Sequence, residues 1–236
     1  MSLCQSKNTS CGACCGIFNL DLNKEEINDL LNLRTSQFKS DVDFKNKWTI
    51  AEYRKKREIE ESNVLRKDDT TYVCPFLGFI ENKKIGCMIH PSITGDPLSQ
   101  NFSFYGSSIC QGYECKNKER KDIDLIENLI EELKIDSYYE YSNIFSDHIT
   151  LSLILEFFNS CGYDIKKVLF EEKDLFLELL NYKFKKGILL NQTSFEFEEA
   201  TELSILDRLL FRLSIDLKED IYKRLLEISK NPLRGF

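Results

Sequence analysis

Nine cysteines constrain this 236-residue chain more than any other feature. They stand at positions 4, 11, 14, 15, 74, 87, 110, 115 and 161, so eight fall within the first 115 residues. A chain of this length buries a hydrophobic core of its own, whereas disulfide scaffolds are usually much shorter and need their bridges for lack of one. The N-terminal run Met1-Ser2-Leu3-Cys4-Gln5-Ser6-Lys7 lacks the apolar stretch of a secretory signal. The expected compartment is therefore the cytoplasm, where clustered thiols are metal ligands before they are disulfides.

The spacing supports metal. Cys11-Gly12-Ala13-Cys14 is a Cys-x-x-Cys turn whose two small central residues let the backbone fold tightly. Such turns aim two sulfurs at one point and serve both zinc and iron–sulfur sites. Cys15 follows at once; adjacent side chains diverge in strand and helix alike, so Cys14 and Cys15 are expected to play different roles. Cys4 is close enough to fold back on them. Cys74 and Cys87 flank an expected hairpin of two short strands, 76–80 and 85–89. If Glu81 faces Lys84, Cys87 lies opposite Gly78, about 13 Å along the strand from Cys74. One ion does not span that gap, so either Pro75 and Gly78 bend the strand or the two cysteines serve different sites. Cys110 and Cys115 complete eight candidate metal ligands: Cys4, Cys11, Cys14, Cys15, Cys74, Cys87, Cys110 and Cys115. Eight thiols suffice for two four-cysteine sites, or for one cluster with spare cysteines. Cys161, alone in a helical pattern, reads as a small buried hydrophobe.

These residues resemble a known family. Cys11-Gly-Ala-Cys14-Cys15, then Cys74-Pro-Phe-Leu77, then Cys87-Met-Ile89 are similar to the YkgJ-type cysteine-cluster family, over roughly residues 4–115. The family pattern opens Cys-x-x-Cys-x-x-Cys-Cys; Asn8 stands where its first cysteine would fall, and Cys4 is the replacement through a longer loop. The family's Arg-Pro after the third motif is His90-Pro91 here, and Cys110 follows only after an insertion. The resemblance implies a zinc- or iron-chelating domain and names no reaction. Similar clusters accompany flagellin lysine methylases, so a methyl-transfer partnership stays open, although no glycine-rich cofactor loop is present.

The rest of the sequence narrows the classes. The formal charge of −7 is uneven: residues 1–118 carry 16 Lys and Arg against 15 Asp and Glu, and residues 119–236 carry 16 against 24. A net of −8 in the second half argues against a nucleic-acid surface there. The basic cluster Arg54-Lys55-Lys56-Arg57 is followed by Glu58, Glu60 and Glu61, the pattern of a salt-bridged helix face. No apolar run reaches the roughly 20 residues of a membrane span. With two histidines, three-histidine zinc chemistry is excluded; His90 is a possible nitrogen ligand and His148 a structural helix-start residue.

Asn23-Lys24-Glu25-Glu26 is a capping-box start, with Ile27, Leu30, Leu31 and Leu33 in a helical stripe. A second helix is expected over 48–61, with Trp48, Ala51 and Ile59 inward. Pro91 to Lys118 reads as irregular. After it come helical patterns over 122–133, 147–157, 173–182, 197–213 and 217–229.

The expected fold is thus mostly α with a small β-hairpin. It has an irregular, metal-stabilised cysteine domain over 1–118 and an acidic helical bundle over 119–236, the latter a possible surface for a protein partner. The expected function is metal binding, with zinc or iron held by thiolates in a structural or partner-binding role. The alternative is an iron–sulfur redox protein, or a component of a methyl-transfer or oxidoreductase system.

Overall fold

The Asn23 side chain accepts the Glu26 amide at 2.9 Å, and the Glu26 carboxylate accepts the Asn23 amide at 2.8 Å. Together they satisfy two of the free N–H groups at the start of α1 (Lys24–Asp41). In the computed structural model, which describes residues 9–81, 84–113, 115–132, 135–185 and 203–232, ten further α-helices follow. They are α2 (Trp48–Glu60), α3 (Pro91–Thr94), α4 (Gly106–Gly112), α5 (Ile123–Glu132), α6 (Tyr138–Ser146), α7 (His148–Ser160), α8 (Ile165–Glu171), α9 (Lys173–Lys185), α10 (Ile205–Leu213) and α11 (Asp220–Lys230). The two strands β1 (Leu77–Glu81) and β2 (Lys84–Cys87) pair as an antiparallel hairpin. The chain is therefore mostly helical with one small hairpin, and no helix among the described residues is long and apolar enough to cross a membrane.

The described residues fall into two compact units. The first holds residues up to 118 together with 135–146; the second holds 119–132, 147–185 and 203–232. Helix α6, beyond the boundary expected at 118, thus belongs to the first unit. Its Tyr139 packs with Ile17, Leu20, Ile27, Leu31, Val73, Leu77 and Ile85 in one apolar cluster. A neighbouring cluster joins Phe38, Ile50, Tyr53, Cys74, Phe76, Met88 and Ile89. In the second unit α7 is capped by Asp147, which accepts the Thr150 amide and pairs with Arg212 at 3.0 Å. Its core is made of fully buried Ile154, Phe158, Leu175, Phe176, Leu179, Leu209 and Leu213.

Three local expectations change. Trp48 and Ile59 of α2 are exposed; the inward face is Ile50, Tyr53 and Arg57. The stretch from Pro91 to Lys118 is not irregular throughout: it forms α3, a 3-10 turn at Ser99–Phe102, and α4. Each is too short to print an apolar period, and α3 is defined by its ends: His90 caps it, Pro91 stands at its first position, and Gly95 closes it in the left-handed region. The hairpin register differs by one residue. Leu77, not Gly78, faces Cys87, because a bulge between Phe79 and Glu81 absorbs a position. Of the expected helix 197–213, residues 197–202 lie outside the described residues.

Arg57 faces inward because it joins a buried ionic knot. The Arg34 guanidinium, fully buried on α1, binds both carboxylate oxygens of Glu61, with its Nε at 2.9 Å. Arg57 Nε stands 3.5 Å from the same carboxylate, and its Nη2 pairs with Glu60. Removing one member of such a group leaves an uncompensated buried charge. We expect Glu61→Ala to lower stability by about 3–5 kcal/mol, read as a shift of the urea unfolding midpoint; a change below about 1 kcal/mol would contradict the clamp.

Candidate metal centre

The first cysteine group folds as two consecutive 3-10 turns, Ala13–Cys15 and Ile17–Asn19, joined at Gly16. Gly16 takes φ +76°, and a Cβ there would lie 2.3 Å from the Tyr72 carbonyl oxygen. Glycine is thus required twice over, by the left-handed backbone and by the closeness of the crossing segment. At the crossing, the Cys74 amide donates to the Cys15 carbonyl at 2.9 Å. On the side of the Cys11–Cys14 turn, the Gly12 amide donates to Ser142 Oγ at 3.0 Å.

Five cysteines act on one another electrostatically where these segments meet. Cys15 S–H donates to the Cys14 sulfur, and Cys15 lies in the electrostatic field of Cys14, Cys74 and Cys87. Cys74 interacts with Cys87 and Cys110, and Cys87 with Cys110 and Cys14. The hairpin offset expected from sequence does not separate Cys74 from Cys87. Cys74 precedes β1, the chain turns at Pro75 and Phe76, and Met88 then donates to the Phe76 carbonyl at 2.8 Å.

Each sulfur has its own environment. Burial pushes the Cys74 thiol up to about 12 and the Cys87 thiol up to about 11, because a thiolate in apolar surroundings has no solvation. The backbone N–H groups of Phe76 and Ile89, each two residues on, pull these values down without reversing the shift. Cys15 is raised by the Cys14 bond, by burial, and by the neighbouring thiols. Cys14, accepting the Cys15 proton, is lowered to about 7.

Side chains around the sulfurs complete the surroundings. Arg34 Nη1 donates to the Cys74 carbonyl at 3.1 Å, and the Tyr53 hydroxyl donates to the Pro75 carbonyl at 3.3 Å and the Arg34 carbonyl at 3.0 Å. Gln100 Nε2 lies 3.7 Å from Cys87 Sγ, and Ser103 Oγ lies 3.4 Å from Cys110 Sγ. Tyr105 feels the Cys74, Cys15 and Cys110 sulfurs, and its ring stands edge-on to Tyr72 at 5.4 Å. None of Arg34, Tyr53, Gln100 and Ser103 was visible as a site residue in the sequence. The one available signal was the Arg34 position, a charge three residues from Leu31 on the buried stripe of α1.

Of the eight candidate ligands, Cys14, Cys15, Cys74, Cys87 and Cys110 lie within electrostatic reach of at least one other of the five. Cys11 opens the turn that carries Cys14, and Cys115 follows α4, where its carbonyl accepts the Lys118 amide at 2.8 Å. Cys4 lies outside the described residues. His90 is an exposed helix cap, its Nδ1 engaged by Ser92. Cys161 is buried at the end of α7 in the second unit. The eight described cysteines are all free thiols. Among the described residues, no three His, Cys, Asp or Glu side chains are grouped so as to hold a metal ion as they stand.

No family model, curated protein or solved structure matches the chain.

The shared proton of Cys14 and Cys15 has a chemical consequence. Only the thiolate is nucleophilic, so Cys14 is expected to react with iodoacetamide near neutral pH well before Cys74. Its rate should fall about tenfold per pH unit below about 7. Peptide mapping after timed labelling checks this; Cys74 modified as fast as Cys14 would contradict it.

Proposed function

We propose that this chain binds a thiophilic metal ion, zinc foremost, through Cys14, Cys15, Cys74 and Cys87, with Cys110 beside them. In this reading the metal holds the loops of the first unit in a fixed arrangement, a structural role or one that presents the unit to a partner. The observation that carries it is the set of cysteines from four chain segments that act on one another electrostatically, with the backbone N–H groups of Phe76 and Ile89 favouring thiolates at buried Cys74 and half-buried Cys87. Such donors are of most use to a thiolate, yet burial keeps both sulfurs protonated without a counter-charge. A cation supplies that charge, and uptake releases the thiol protons.

The donor chemistry fits. The convergent groups are all sulfur, the preference of zinc and of iron–sulfur clusters, and zinc completes a tetrahedron with four of them. Binding would require the sulfurs to close further on one another. The motif resemblance to the YkgJ-type family points the same way and rests on the motifs alone. An iron–sulfur centre uses the same donors, so the test must separate the two.

Protein reduced and reconstituted without oxygen, offered zinc or iron with sulfide, should retain at least one equivalent of zinc, stay colourless, and melt higher than the chelator-stripped form. Cys74→Ser should lose metal, and Cys161→Ala should keep it. Fully reduced protein that retains none overturns the reading. A brown protein with acid-labile sulfide replaces zinc with an iron–sulfur, redox role.

A further inference from the structure

The Gln100 side chain is where the polar surroundings of the sulfurs are least explained by folding. It sits in the 3-10 turn Ser99–Phe102 and is 5% exposed. The turn is held against the third cysteine motif, since Ser99 Oγ donates to the Ile89 carbonyl at 2.7 Å. From there Gln100 directs Nε2 toward Cys87 Sγ, while its Oε1 is buried with no hydrogen-bond partner. A buried carbonyl left in that state is destabilising. A methionine or leucine would fill the same volume without that cost, so packing alone does not account for an amide here.

Resting on the metal reading above, we propose that Gln100 is a positioning residue of the centre. Its N–H holds the Cys87 sulfur in the orientation in which that sulfur binds a metal ion. The geometry supports a role on sulfur rather than on the backbone. The amide donor lies 3.7 Å from Cys87 Sγ, while the amide carbonyl has no partner. Donors of this kind fix a ligand's direction before the ion arrives. Their loss typically costs 10–100-fold in metal affinity.

Gln100→Met separates this from a merely structural role, because the two make predictions of opposite sign. In the metal-free protein, Gln100→Met removes an unpartnered buried carbonyl, so the melting temperature should stay the same or rise. Zinc affinity, measured by competition with a chelating dye, should fall about 10–100-fold. The sulfur-to-metal absorption of the cobalt-substituted protein should also shift, because one thiolate loses a donor. Gln100→Glu, with no N–H and an added negative charge, should bind as weakly as Gln100→Met or more so. A Gln100→Met protein that fails to fold, or that folds and binds zinc within twofold of the wild type, overturns the assignment. The wild-type arm tests the metal reading separately: wild-type protein that binds no zinc ends that reading, whereas loaded wild type beside an equally loaded variant ends only the role of Gln100.

Discussion

Everything at the cysteine site depends on one backbone crossing, where the turn carrying Cys14 and Cys15 touches the segment that ends at Cys74. The contact is main chain to main chain, the Cys74 amide on the Cys15 carbonyl, and a side chain at Gly16 would force it apart. Backbone contact matters because it fixes two cysteines at once without relying on their own rotamers. The crossing is then held from α1 and α2, where Arg34 and Tyr53 bind the carbonyls of Cys74 and Pro75. A cysteine neighbourhood built this way is set by the fold of the whole unit, and the sulfurs arrive in place as the unit closes.

The sequence shows where the cysteines stand and not what surrounds them. Cys11, Cys14 and Cys15 were legible from spacing alone, as was the burial of Cys161, and the capping box of α1 was legible from four residues. The hairpin was legible too, but its register was not. Pattern fixes which residues are apolar, while a single bulge beyond Phe79 moves every partner by one place. For Cys74 and Cys87 the sequence leaves two outcomes open, a bend at Pro75 and Gly78 or two separate sites, and the chain does turn at Pro75 and Phe76.

Helix α2 shows a different limit. Trp48 and Ile59 look like the buried residues of that helix by hydropathy, yet both face solvent, and Arg57 is 2% exposed. Hydropathy assigns a charged residue to the surface because burying a lone charge is costly. Hydropathy alone does not count partners: Glu60 and Glu61, three and four residues on, pair with Arg57, and Glu61 is itself held by Arg34 from α1. The same blindness hid Gln100 and Ser103, polar residues in a stretch that reads as loop. Their meaning lies in which sulfur they face, and only the folded unit decides that.

The charge balance around the sulfurs gives the last step. Arg34 is the cation that touches the Cys74 segment, but its guanidinium is already bound on two sides by Glu61, so little of its charge is left for a thiolate. Cys15 packs against both apolar clusters of the first unit, and the neighbouring thiols Cys14, Cys74 and Cys87 make its ionisation harder. The neutral donors, Phe76 N–H, Ile89 N–H and Gln100, favour a thiolate locally, yet burial outweighs them at Cys74 and Cys87. At Cys74 and Cys87, backbone N–H groups thus favour a thiolate that burial still disfavours. A protein that needed these thiols only as small apolar residues would gain nothing from aiming N–H groups at them. The charge that would offset that burial is of the kind a soft divalent cation brings, and under the proposed reading its uptake would release the thiol protons and couple binding to the stability of the unit.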